Sequence, residues 1–100
     1  MSSGKHIFLI VRTDVSPEME DEFNRWYNEE HIPLLLKVPG VLSAKRGMNT
    51  GKGQKYIAIY EHESREVQKT AAYRGALETD WTHKIRPYLR NFEREIYELL

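Results

Sequence analysis

Residues Phe23–Gly40 read FNRWYNEEHIPLLLKVPG. Wound at about 100° per residue, this stretch sorts into faces. Met19, Phe23, Trp26, Tyr27 and Leu34 share one broad apolar stripe, the pattern of a helix packed on a sheet. Asp21, Glu22, Arg25, Asn28 and Glu29 fall opposite and should be solvated. Glu30 breaks the pattern, because α-helical geometry places it near the centre of the apolar stripe. A carboxylate buried there without a partner costs several kcal/mol, roughly. Either an arginine such as Arg12 or Arg46 pairs with it, or the stripe opens onto a polar cavity. His31 falls at the stripe's edge beneath Tyr27 and Asn24. The residue before Pro33 disfavours helical geometry, so the helix should end near His31, with a short turn over Leu34–Val38 stopped by Pro39-Gly40.

Outward from this helix, His6–Thr13 (HIFLIVRT) reads as a strand. Ser16 can cap the helix and Pro17 suits its first turn. Glu18, Glu20, Asp21 and Glu22 place negative charge at the positive end of its dipole. Val41–Asn49 and Lys55–His62 read as two strands joined by a Gly-rich hairpin loop. That loop lacks the G-x-x-x-x-G-K-[ST] spacing of a phosphate site. Ser64 should cap a second helix over Arg65–Leu77, burying Val67, Ala71, Ala72 and Leu77. Gly75 inside it weakens a helix and suggests a close approach there. Asp80–Pro87 looks like one more turn, and Asn91–Leu100 like the final strand.

The order is β-α-β-β-α-β. Right-handed crossovers turn it into a ferredoxin-like α+β fold, an antiparallel sheet with strands 1 and 3 central and both helices on one face. Strand 1 carries Ile7, Leu9 and Val11 on one side and Phe8 and Ile10 on the other. Strand 3 places Ile57 and Ile59 opposite Tyr56, Ala58, Tyr60 and His62. Two helices cover only one of these apolar faces, so the other should meet a second copy: a homodimer is expected.

One hundred residues form a single domain spanning 1–100. With 40% hydrophobic and 30% charged residues and no long apolar run, the chain reads as soluble and not membrane-spanning. Fifteen basic and fifteen acidic residues balance, which argues against nucleic acid as a partner. No cysteine is present, so disulfides, thiolate metal sites and a Cys nucleophile are excluded. The four histidines, His6, His31, His62 and His83, show no metal-ligand spacing, and no metal or cofactor is expected. Neither G-x-S-x-G nor a dinucleotide fingerprint occurs. Met1–Lys5 is short and polar, unlike a signal peptide, so the cytoplasm is the expected compartment.

The motif F-N-x-W-Y-N-E-E-H-I-P-L-L-L-x-V-P-G, taken with this topology, resembles the dimeric α+β-barrel superfamily and within it the EthD-like group. The resemblance covers nearly the whole chain. It implies a ligand pocket between sheet and helices within each subunit, with His31 and Tyr27 where the polar residues of that pocket sit. Relatives include cofactor-free monooxygenases, isomerases, cyclases and lyases, so it implies no single reaction.

The residues suggest a division of labour. His31, whose ordinary pKa lies near neutrality, suits acid/base catalysis, with Glu30 orienting it or acting itself. Asn24 and Tyr27 share its stripe at helical spacing and can meet one bound molecule. Arg46 suits a carboxylate or phenolate oxygen, though a solvated role fits equally. Trp26 is a core or pocket wall residue, Tyr60 a strand residue of undetermined side, and Trp81 a pocket lid or an anchor for the last turn. The first expectation is a cofactor-independent enzyme moving protons on a small aromatic or polyketide-like molecule, with a cofactor-free monooxygenase as a variant. A non-catalytic dimeric binding module is the alternative.

Overall fold

A computed structural model describes residues 5–100; the reading of Met1–Lys5 falls, but for Lys5, outside them. Strands β1 (Ile7–Val15), β2 (Val41–Met48), β3 (Tyr56–His62) and β4 (Leu89–Glu98) form one sheet in the order β2-β3-β1-β4. Every neighbouring pair is antiparallel. This is the expected ferredoxin-like α+β fold, with β1 and β3 central. The period of two is plain in burial: Ile7, Leu9, Val11 and Thr13 are buried, as are Tyr56, Ala58, Tyr60 and His62, while the residues between them are only half-buried. The first set faces the helices. Tyr60 and His62 therefore belong to the inner face.

The first helical stretch departs from the expected straight helix. Pro17–Met19 form a 3₁₀ turn, α1 covers Glu20–Trp26, a π-helical turn covers Tyr27–His31, and α2 covers Ile32–Leu36. Ser16 precedes it, but its side chain makes no capping hydrogen bond. The helix does not stop before Pro33: His31 and Ile32 both keep helical dihedrals. Instead the Ile32 N–H donates to the Tyr27 carbonyl, five residues back. Proline lacks an N–H and its ring crowds the carbonyl four residues earlier, and a widened turn accommodates both defects without ending the helix.

The second helical stretch is also broken. Arg65–Lys69 form a 3₁₀ turn whose preceding Ser64 accepts from the Glu66 N–H, as expected of a cap. Thr70 then turns extended (ψ 152°), donates to the Val67 carbonyl and accepts from the Tyr73 N–H, starting α3 (Ala71–Leu77). A threonine able to bond both neighbouring turns competes with helix continuation. The reset phase buries Tyr73 and Ala76 and leaves Ala71 and Ala72 exposed, contrary to the sequence reading. Gly75 faces open space, so the expected close approach is absent there. It occurs instead at Gly40, where φ is +94° and an added Cβ would lie 2.5 Å from Val67 Cγ2.

A fourth helix, α4 (Asp80–Ile85), replaces the expected single turn, capped by Thr79, whose Oγ1 accepts from the Thr82 N–H at 3.1 Å. β4 begins two residues earlier than expected. Its pairing with β1 slips between Arg12 and Asp14, where Asn91 takes φ 52° and donates to Asp14 Oδ2. The helices and the inner sheet face enclose one core running from Ile7 and Phe23 to Tyr60 and Ile85.

Candidate functional site

Between that sheet face and the helices lies a cavity of about 170 Å³. Leu9, Val11 and Tyr60 form its floor; Trp26, Tyr27, His31 and Leu35 come from the first helical stretch, and Tyr73 and Leu77 from α3. Arg86, Leu89, Phe92 and Arg94 close the remaining side. The inner residues are almost all buried, whereas Arg86, Phe92 and Arg94 are exposed, so this last wall is the mouth.

The π turn sets the site. A widened turn advances each residue by less than the α-helical angle, so residues after Tyr27 lag behind their expected directions. His31 thereby rotates from the stripe's edge into its interior and is 8% exposed. Its ring stacks on Trp26 at 4.3 Å and meets Tyr27 edge-on at 5.1 Å. His31 Nδ1 is buried without a hydrogen-bond partner. Burial, reinforced by the positive charges of Arg86 and then Arg46, pushes its pKa down to about 4. The imidazole is thus neutral at physiological pH, with a ring nitrogen unclaimed by the protein.

The same rotation carries Glu30 away from the stripe's centre, and it is half-buried. Its Oε2 accepts from the Thr79 hydroxyl at 2.6 Å. Thr79 Oγ1 lies 2.9 Å from Thr82 Oγ1, which accepts from Trp26 Nε1 at 3.1 Å. Neither arginine considered as its partner reaches it: Arg12 pairs with Glu95, and Arg46 with two asparagines. The polar chain Glu30–Thr79–Thr82–Trp26 ties the π turn to the cap of α4.

Phenols share the cavity with His31: Tyr27 beside it, Tyr60 on the sheet and Tyr73 on α3. The Tyr60 hydroxyl is buried without a partner. It lies close enough to Tyr27 for each to act on the other's titration, though no hydrogen bond of ordinary geometry joins them. Burial raises the pKa of Tyr27 and raises that of Tyr60 well above the usual range, and Tyr73 adds to both shifts. Tyr27 and Tyr60 therefore stay protonated and able to donate.

Of the residues singled out in the sequence, Trp26, Tyr27, His31 and Tyr60 line this cavity; Asn24, Glu30, Arg46 and Trp81 do not. Arg46 lies on the other side of Tyr27, its guanidinium 4.3 Å from the ring centre. It donates to Asn24 Oδ1 at 2.7 Å and to Asn28 Oδ1 at 3.2 Å. Asn24 in turn donates to the Glu20 carbonyl and to Tyr56 OH, both at 3.1 Å. Trp81 is half-buried against the core, with Arg25 over its ring at 5.6 Å. His6 and His83 are exposed, while His62 is 1% exposed, with an unpartnered Nδ1 and a pKa lowered by burial and by Arg94. Arg86, Arg94 and Tyr73 escaped the sequence reading. The alternation Phe92, Arg94, Ile96 in the last strand was a usable signal for Arg94; nothing local marked the other two. Among the described residues no group of His, Asp and Glu converges as metal ligands.

Residues 6–98 match the family model described as "Domain of unknown function (DUF4286)". The chain belongs to that family. No curated protein matches this DUF4286 chain. Among solved structures it is similar to a candidate antibiotic biosynthesis monooxygenase from Nitrosomonas europaea, with TM-score 0.73, 14% identity, and coverage of 100% of this chain and 95% of that one. It is also similar to SnoaB, a cofactor-independent oxygenase from Streptomyces nogalater (TM-score 0.64, 18% identity, 95% and 93% coverage). An EthD-family protein from Bacillus halodurans matches at TM-score 0.59 and 19% identity, over 95% and 99% of the two chains. At such identities the likeness is one of fold. The EthD-like resemblance thus holds for the architecture, while the family shown is DUF4286.

Proposed function

We propose that this protein is a small cofactor-independent enzyme that transfers protons on a small aromatic or enolisable metabolite. The observation that carries the reading is a neutral imidazole, His31, with an unclaimed nitrogen on the wall of an apolar cavity that also presents protonated phenols. In the reaction His31 takes a proton from an acidic C–H or O–H. The electron pair left behind moves onto a substrate oxygen, where Tyr27, Tyr60 and Tyr73 donate to it and the charge of Arg86 lowers its energy. Protonation of His31 is disfavoured in the empty cavity and becomes favourable as an anion forms beside it, so the base is matched to a step that creates a charge pair. Return of the proton to another atom completes an isomerisation; loss of a leaving group completes an elimination or cyclisation. Glu30 has a supporting part here, holding the π turn to α4 through Thr79.

A second reading draws on the oxygenases named among the structures of like fold. There the same deprotonation gives a carbanion that dioxygen captures. The resulting peroxide anion takes the proton from His31, and loss of water leaves a carbonyl. Incubation of candidate phenols and 1,3-dicarbonyl compounds in D₂O under nitrogen and under air separates the two readings. Enzyme-dependent deuterium uptake without oxygen supports proton transfer; product formed only in air supports oxygenation. In either case His31→Ala should cut the rate by about 10²–10⁴-fold. Binding of such compounds with neither exchange nor turnover would hand the protein to a non-catalytic binding role.

The proposal includes a homodimer in the cytoplasm. Phe8, Ile10, Ile57 and Ile59 lie together on the outer sheet face, with Ile10 directly opposite Ile59 and Phe8 opposite Tyr97. No helix among the described residues covers that face. Among the described residues no helix is long and apolar enough to cross a membrane.

A further inference from the structure

Resting on the reading of this cavity as the ligand site, its walls narrow the class of ligand. Among the described residues no carboxylate lines it, while two guanidinium groups do. They differ in circumstance. Arg86 is already paired, donating to Glu78 Oε2 at 3.1 Å, and its field is the larger of the two cationic influences on His31. Arg94 has a neutral partner instead: among the described residues its side chain donates only to Gln68 Oε1. Arg94 stands at the exposed mouth, whereas His31 is 8% exposed on the inner wall. Gln68 itself lies outside the cavity lining, so of this pair Arg94 is the member offered to a ligand.

Size sets the rest. A cavity of about 150 Å³ in an engineered protein holds one benzene ring, so about 170 Å³ holds one ring and a small substituent, not a fused system.

We propose that the cavity takes a single-ring organic acid, its carboxylate held at the mouth by Arg94 and an ionisable oxygen at its inner end beside His31. Calorimetry with 4-hydroxybenzoate, phenol and 6-hydroxy-2-naphthoate tests this, alongside NMR of the His31 imidazole. The acid should bind at least about tenfold more tightly than phenol, as expected for a charge-assisted hydrogen-bonded pair. Arg94→Gln should erase that advantage and leave phenol affinity unchanged. The naphthoate should fail to bind. Arg94 is exposed, so its substitution leaves the fold intact. Equal affinity for phenol and acid, an advantage that survives Arg94→Gln, or tight naphthoate binding would each overturn the inference. If phenol alone shifts the His31 resonance, the inference fails and the cavity reading stands. If no probe moves that resonance, both fall.

Discussion

His31 ties stability to pH with a sign opposite to that of a histidine paired with an acid, because its folded pKa is lowered and not raised. Its pKa in the folded chain lies at about 4, against an ordinary value of 6.5. The unfolded chain therefore takes up a proton as pH drops through 6.5, while the folded chain resists until about 4. Stability is complete above the unfolded value and is lost as pH falls through this window. Proton linkage with these two values gives a loss of about 2 kcal/mol between pH 7 and pH 5, and about 3 kcal/mol by pH 4. The lowered carboxylates, Asp14, Glu20, Glu22 and Glu95, lose their contribution at more acidic pH, below their ordinary values near 4. The interval from pH 7 to 5 thus isolates the histidines. His62 shifts in the same direction but is common to both proteins in a comparison with His31→Gln. Urea unfolding of the two at fixed protein concentration and stepped pH should show curves that converge by about 2 kcal/mol over the interval, the native protein losing more. Parallel curves would mean that His31 titrates normally in the folded state. The buried neutral base, and the mechanism built on it, would then be wrong.

Thr79→Ala removes both the α4 cap and the partner of Glu30, and should cost about 1–2 kcal/mol in the same assay; no change would mean that the polar chain is idle. Gly40→Ala meets a positive φ and the Val67 methyl, and should destabilise by about 2 kcal/mol or more, whereas Gly75→Ala should stabilise by about 0.5–1 kcal/mol, both read from thermal melts. Sedimentation at micromolar concentration should give twice the chain mass, and charge placed by Ile59→Lys should give monomers; a native monomer would leave the outer sheet face without its proposed partner. Pro33→Ala restores the missing N–H and lets the turn relax toward α-helical spacing, so the His31 pKa should climb from about 4 toward its ordinary value by NMR titration, and a value still near 4 would show that packing, not proline, holds the turn.

The sheet was legible because strand burial depends on a period of two that each residue carries locally. Ile7, Leu9 and Val11, or Tyr56, Ala58 and Tyr60, are grouped on one face by that period alone, while which face meets the helices is decided by the fold. Helix phase is less forgiving. One break at Thr70, made by a hydroxyl that bonds the turns on both sides, resets every direction after it. Ala71 and Ala72 consequently changed places with Tyr73 and Ala76. Arg86 was illegible for another reason: it reaches the cavity only because the turn before β4 passes its open side, a matter of tertiary placement.

The apparent contradiction at Glu30 shows how such a failure can carry information. α-Helical arithmetic placed an acid at the middle of an apolar stripe and a histidine at its edge, an arrangement that is costly as written. The chain resolves it by widening one turn, which exchanges the two positions. The imidazole can shed its charge on burial by losing a proton that is weakly held at neutral pH. The carboxylate has no comparable escape without a large pKa shift, so it takes the half-exposed place beside Thr79. Pro33 makes this turn inexpensive, because the α-helical bond it would forfeit is already missing. A local conflict between pattern and charge, next to a proline that weakens the helix, is therefore a sequence-level sign of a π turn, and it points to the residue that turn moves inward.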